Sequence, residues 1–494
     1  MRNIAISALV LLLAACSPKA PSAYSSLNTA PKIFPDYTDV TIPQNIAPMN
    51  FMIEDPADAY VTVIKAGDRQ VSIKGKEVRI PLSKWRKLTT AQEITVQVYA
   101  RNAGKWSAYT PFSMTVSDEI DPFISYRVIM PSVECYERLS INQRDLTSFS
   151  EKVIYANEMV QHDEKGQCIN CHHYRNYTTD NMQFHTRQYL GGTIMAIDGK
   201  LRKVNLKTDS TISAGVYPAW HPTHDYIAYS TNKTHQSIHS IDANRIEVAD
   251  EASDLILYDI KNNAVSIIEN DRNEFECFPA WSPDGRTLYY VSAHYEAPYD
   301  DNRSNQVFLD SRSIRYDLYR KPFNPDTRTW GKSELVYQAS ADSLSTTLPR
   351  VSPDGRYLMF AVAPYGVFHI WHRDSDLWMI DLINGRMWTP AELNSPEVES
   401  YHSWSSNGKW VIFSTRREDG AFTRLYFAHV DSNGKFSKPF ALPQRRPDFN
   451  RTFMYSFNIP EFMKEPVHIS PKQFASFISG AEASSVKYES KKGE

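Results

Sequence analysis

The sequence predicts an all-β protein with two folded parts, a β-sandwich followed by a six-bladed β-propeller, joined by a short helical connector. Three observations predict this. Short alternating apolar segments separated by polar turns fill residues 46–116. An aromatic strand, a tight turn and a second strand recur through the last three-fifths of the chain. Between the two parts lies the one segment with an explicit chemical signature, Cys168-Ile169-Asn170-Cys171-His172.

The chain opens with a short basic start, Met1-Arg2, and an apolar run from Ile4 to Ala15 that is too short to span a bilayer. The run ends in Leu13-Ala14-Ala15-Cys16, which resembles a bacterial lipobox. The resemblance implies a signal peptide over residues 1–15, cleavage before Cys16, and acylation of Cys16. Multiple acyl chains would anchor the protein to a membrane without crossing it. Ser17-Pro18-Lys19 carries no acidic cluster, which favours a periplasm-facing anchor in the cell envelope, with the outer membrane preferred to the inner. Residues 16–43, rich in Ser, Pro and Thr, read as a lipidated tether.

Residues 44–117 contain Phe51-Met-Ile-Glu, Tyr60-Val-Thr-Val-Ile, Glu93-Ile-Thr-Val-Gln-Val-Tyr and Phe112-Ser-Met-Thr-Val, which read as the strands of a sandwich. This part resembles a fibronectin type III or immunoglobulin (Ig)-like module. It carries no His, Cys or carboxylate cluster, so a spacer or partner platform is expected.

Residues 118–188 read as the connector, with a helical stretch around Asp145 to Met159 ahead of the cysteines. Two cysteines separated by two residues and followed by histidine form the attachment signature of a c-type haem. One helical turn would set both sulfurs at the haem vinyl groups and aim His172 at the iron as proximal ligand. A redox dithiol would not require the histidine. A zinc site would require a second ligand pair, and the remaining cysteines are only Cys16, Cys135 and Cys277. One covalent haem c is therefore expected. For the sixth iron position, Met182 and His185 are preferred, Met159 and His162 are available upstream, and His173 would point away. Met ligation would raise the reduction potential relative to bis-His ligation. Cys135 and Cys277 could pair in an oxidising compartment, or stay as two buried thiols.

Residues 189–462 hold the repeats. Tyr217-Pro-Ala-Trp-His-Pro-Thr-His-Asp, Phe278-Pro-Ala-Trp-Ser-Pro-Asp-Gly, Leu348-Pro-Arg-Val-Ser-Pro-Asp-Gly and Tyr401-His-Ser-Trp-Ser-Ser-Asn-Gly each lead into a second apolar strand. These units resemble the Trp-Ser-Pro-Asp-Gly propeller repeats of the TolB-like family. Gly191-Gly-Thr-Ile-Met-Ala-Ile looks like a worn first blade, and the segment near Phe453 to Ile459 is a candidate for closing the ring. At roughly 45 residues a blade the span accommodates six. Trp220, Trp281 and Trp404 read as core aromatics, and Asp284 and Asp354 as turn residues. The tail, residues 463–494, is expected to be disordered from Ala481 onward. The whole layout is similar to TolB-like propeller lipoproteins often labelled cytochrome c biosynthesis proteins in Bacteroides-type bacteria. That resemblance implies a scaffold and leaves the activity to be argued from the site.

The function expected is electron transfer or redox sensing, with a protein redox or envelope partner docking beside the haem and the membrane reached through the lipid anchor. An open sixth iron position would instead give a peroxidase-like enzyme, with Arg187 or His185 as the polar distal group. A third reading is a non-redox propeller that binds or scaffolds envelope partners. A formal net charge of −3 gives no pull towards nucleic acid. No Gly-x-Ser-x-Gly elbow or His-Glu-x-x-His motif supports a hydrolase. His221, His224, His235 and His239 form a loose cluster that reads as loop histidines before it reads as a metal site.

Overall fold

The computed structural model describes residues 18–130, 138–160 and 166–490. The chain is mostly strand, as the periodicity predicts. In the N-terminal part, a seven-stranded sheet and a three-stranded sheet, Ile33–Phe34 with Phe51–Ile53 and Glu77–Val78, face each other. Phe51, Ile53 and Val78 from one sheet and Ile64, Val96 and Met114 from the other share one core. The stretch expected as a tether is part of this unit from Ser25 onward, where Ser25–Ser26 pairs in parallel with Ser107 and Ala108. Thr41–Pro43 pairs in parallel with Phe112–Ser117, and Tyr37, Val40 and Ile42 are buried.

Six four-stranded antiparallel arrays follow. Sheet I combines Phe123–Ile129, Ser140–Asp145 and Glu151–Ala156 with the late strand Ser456–Met463. Sheet II is Gln167–Arg175, Thr178–Gln188, Gly192–Ile197 and Lys200–Asn205. Sheet III runs from Val216–Trp220 to Ala264–Glu269 and sheet IV from Glu274–Trp281 to Glu334–Tyr337. Sheet V runs from Ser345–Val351 to Met387–Trp388 and sheet VI from Glu399–Trp404 to Phe440–Ala441. The innermost strand of each sheet touches that of the next in a closed cycle, with Ser456–Met463 between sheets VI and II. Arg127 pairs with Asn458, so the end of the chain completes the first sheet.

The connector expectation is corrected here. Phe123–Ile129, Ser140–Asp145, Glu151–Ala156, Gln167–Arg175 and Thr178–Gln188 are strands of sheets I and II, and the stretch expected as helix falls in the hairpin Ser140–Asp145/Glu151–Ala156 with one 3-10 turn, Asn157–Met159. The cysteine motif sits in the strand Gln167–Arg175. Asp145 explains the turn, since its side chain accepts from the Thr147 backbone and from the Thr147 and Ser148 hydroxyls, closing a tight loop where a helix would continue.

The repeat signature does the structural work expected of it. Trp281 Nε1 donates to Ala219 O at 3.0 Å and Trp404 Nε1 to Arg350 O at 3.2 Å, so each indole ties its sheet to the preceding inner strand. Asp284 and Asp354 accept from their own turns. The tail also departs from expectation. After the capped helix Pro471–Gly480, Ser484–Ser485 adds to the outer edge of sheet II and Lys487–Tyr488 to that of sheet III. Among the described residues no helix is long and apolar enough to cross a membrane.

Candidate functional site

The inner strands run parallel, so the residues before and after a given level line opposite ends of the central channel. At the middle level, Cys171, Tyr217, Phe278, Leu348, Tyr401 and Ile459, one from each sheet, close around a cavity of only about 40 Å³. Five of these have left-handed backbone: φ is 54° at Cys171, 49° at Tyr217, 52° at Phe278, 55° at Leu348 and 51° at Ile459. Left-handed φ is uncommon for bulky side chains and is held here by the surrounding sheets. Cys171-His172 thus occupies in sheet II the place that Tyr217-Pro218, Phe278-Pro279 and Leu348-Pro349 occupy in sheets III to V.

Above this constriction a cavity of about 550 Å³ is lined by Cys168, Asn170, Cys171, His185, Arg187, Arg127 and Arg416 among others. Its size falls within the roughly 300–1,000 Å³ typical of small-molecule and cofactor sites. The hairpin register builds one wall. Cys168 stands opposite Arg187 and Asn170 opposite His185. The ladder is interrupted between Asn170 and His173, and the left-handed Cys171 within that bulge lets Cys168, Asn170 and Cys171 all reach the cavity. Below the constriction, a second cavity of about 340 Å³ is lined by His173, Arg350, Glu461 and the indoles of Trp220, Trp281 and Trp404. There Arg350 bridges His173 Nε2 at 3.2 Å and Glu461 at 2.6 Å.

The imidazoles differ in their surroundings. His172 is 1% exposed, and neither ring nitrogen has a hydrogen-bond partner among the described residues. Burial pulls it down to about 4, so it is neutral at pH 7. It lines the constriction and not the larger cavity. His185 is held by Thr193, with Nδ1 and Oγ1 3.1 Å apart, while its ring lines the larger cavity. Burial, reinforced by Arg187, pulls it down to about 3. Fixing one ring nitrogen in this way orients the other for a metal or ligand. Met182 is different: it is wholly buried in the core between sheets with Ile169 and Phe184, away from the cavity. Met159 is exposed, and His162 lies outside the described residues. Burial pushes the Cys171 thiol up, against the pull of Arg187, so it is protonated at neutral pH.

The residues lining the larger cavity fit a haem in donor chemistry: two thiols on one wall, the neutral imidazole of His185, and guanidiniums suited to propionates, whereas His172, expected as the proximal ligand, stands at the constriction instead. The backbone is not the helical turn expected, because Cys168 to Cys171 is extended except for the bulge. Cys16 and Cys135 lie outside the described residues. Cys277 is wholly buried in sheet IV, where Asn232 Nδ2 donates to its Sγ at 3.4 Å. The four loop histidines do not converge. His221 meets Gly285 O, His224 faces Asp326, His235 meets Ser304 and His239 stacks on Phe308. Among the described residues no group of three or more His, Cys, Asp or Glu is placed to hold a metal. The guanidiniums Arg127 and Arg416 went unnoticed in the sequence reading, because nothing local to either residue marks it as facing the cysteines.

No family model matches the chain, and no curated protein matches it. Among solved structures it is similar to a prolyl endopeptidase, at 12% identity over 65% of this chain and 42% of that one, TM-score 0.36. It is similar also to the β-propeller domain of the trilobed protease from Pyrococcus furiosus, at 10% identity over 82% and 96%, TM-score 0.31. A third is apocarotenoid oxygenase from Synechocystis, at 13% identity over 86% and 95%, TM-score 0.37. The chain spans less than half of the endopeptidase and about a third of the tricorn protease that it also matches. Its solved neighbours thus include β-propeller proteins.

Proposed function

We propose that this is a propeller protein of the cell envelope whose channel mouth is a one-electron redox site, with Cys168 and Cys171 as thioether positions for a single c-type haem. The six sheets are its blades, and the N-terminal sandwich is an Ig/fibronectin III-like platform. Cys16 is the lipidation site that tethers it facing the periplasm. A protein redox or envelope partner docks around the mouth. The observation that carries this reading is that Cys168, Cys171, His185 and Arg187 share one wall of one cavity.

Haem, when bound, supplies reversible one-electron chemistry. The chain's own residues have separate tasks. Cys168 and Cys171 provide the sulfurs. His185, aimed by Thr193, is the neutral imidazole that faces the cavity, while His172 stands at the constriction with no partner among the described residues. Tyr217, Tyr401 and Phe368 supply apolar wall to the cavity.

The test is expression with c-type maturation machinery. A pyridine haemochrome that survives acid–acetone extraction is expected, and Cys168→Ser with Cys171→Ser should abolish it. Absence of haem where a control cytochrome matures would refute the redox reading. It would leave the second one, a propeller that binds partners at the same mouth, which the cationic lining favours. Fatty-acid labelling that is lost in Cys16→Ser tests the anchor.

A further inference from the structure

The larger cavity is cationic to a degree that the cysteine motif alone does not require. Arg127 is 7% exposed and Arg416 is 5% exposed, yet both line it, together with the exposed Arg187. Among the described residues lining it there is no Asp or Glu. Each guanidinium is only partly satisfied. Arg127 Nη1 donates to Ile169 O at 3.2 Å, while its buried Nε has no partner among the described residues. Arg416 Nε reaches Thr423 Oγ1 at 3.3 Å, and its guanidinium lies 3.4 Å from the centre of the Trp371 ring. None of the three makes an ion pair among the described residues, whereas several other arginines of the fold have a carboxylate or several carbonyl partners. Arg350 has Glu461, Arg417 has Glu399, and Arg424 donates to three backbone carbonyls. Burial pulls Arg416 down to about 9, and the nearby Asp419 and Glu397 offset that only in part. Buried cations are ordinarily paired, so two of them lining one cavity beside the exposed Arg187 leave it short of negative charge.

We infer that the cavity is an anion site whose ligand presents carboxylate groups to Arg127, Arg187 and Arg416. Guanidinium forks match carboxylates in a bidentate geometry, and the aromatic walls of Trp371, Tyr217 and Tyr401 suit an apolar body between the charged ends. The inference rests on the proposal that this cavity is the functional site. It adds what the site recognises. Two sources supply that chemistry: the propionates of a haem held by the cysteines, or a free carboxylate ligand.

The test uses the full chain with Cys168→Ala and Cys171→Ala, so that binding is reversible. Haem and haem dimethyl ester are titrated by their Soret bands, and succinate by tryptophan fluorescence. Haem should bind at least about tenfold more tightly than the ester, a free-energy difference of one decade. Arg187→Gln should bring that ratio towards one, and because Arg187 is exposed the substitution leaves the core intact. This result assigns the carboxylates to the haem. A succinate response weakened by Arg187→Gln, without discrimination between haem and ester, upholds the anion site with a free ligand as its source and counts against haem. Equal binding of haem and ester with no succinate response overturns the inference while leaving the haem reading standing. No response to any probe overturns both.

Discussion

Asn170 and His185 are register partners across the hairpin Gln167–Arg175/Thr178–Gln188. The same register turns Met182 and Phe184 into the core between sheets. One strand therefore sorts its own candidates, placing His185 beside the cysteines and Met182 out of reach of the cavity.

The burial of His185 couples the site to acid stability. Its imidazole sits near 3 in the fold and near 6.5 when unfolded. Between those values the unfolded chain takes up a proton that the folded chain refuses, so stability falls as pH drops through 6.5. From pH 7 to pH 5 this one group should remove about 2 kcal/mol. Urea unfolding at both pH values should show that His185→Gln loses less on acidification than the parent by about that amount. Equal pH dependence would contradict the neutral buried assignment.

Met182→Ala should destabilise the protein by about 2–5 kcal/mol, as a cavity left in a close-packed core does. It should leave the visible bands of any bound haem in place, whereas His185→Ala should shift them. Spectra and urea midpoints of the two variants check this together.

Cys171 is left-handed with φ 54°. Cys171→Val places a β-branched side chain in that conformation and should cost about 1–2 kcal/mol or more, while Cys171→Gly should be close to neutral in stability. Both remove the thiol. Thermal unfolding separates the backbone effect from the chemistry, because loss of haem alone would affect the two variants equally.

Removal of residues 481–494 takes away the edge strands on sheets II and III, the Arg328–Glu489 ion pair at 2.9 Å, the Ala481 carbonyl that Lys203 donates to at 3.0 Å, and the buried Val486. The truncated chain should unfold with a stability loss of about 1–3 kcal/mol. Amide exchange should rise first in Lys200–Asn205 and Ala264–Glu269, the strands left as bare edges.

Sheets III to VI were legible in the sequence because Trp281 and Trp404 and the turns at Asp284, Asp354 and Asn407 recur in the same local pattern. Sheets I and II were legible only in part, through Gly191 to Ile197 as a worn blade and Phe453 to Ile459 as a closing candidate, and the rest was hidden for a physical reason. In sheet II the aromatic-Pro pair is replaced by Cys171-His172, and the turn is made by left-handed Asn176 and Tyr177 in place of Pro-Asp-Gly. The same geometry is reached with different residues, so the repeat cannot be recognised by residue type. Sheet I is built from segments more than three hundred residues apart, a pairing that no local pattern encodes. The cysteines and His185 were legible as chemistry. Arg127 and Arg416 join them only through the ring, since each sits on a different sheet or loop of the channel mouth.

The pairing of Phe123–Ile129 with Ser456–Met463 also fixes an order of events in time. Contacts this distant in sequence are slow to form, because a long loop must close before they yield any stabilisation. During synthesis or export, sheets II to VI can assemble from contiguous chain, while Phe123–Ile129 waits with an unpaired edge until residue 463 has emerged. Nascent chains stopped short of that point carry an open β edge prone to pairing with other chains. Maturation of the mouth cavity, which draws on Ser456, Asn458 and Ile459 from the closing strand, is therefore a late step.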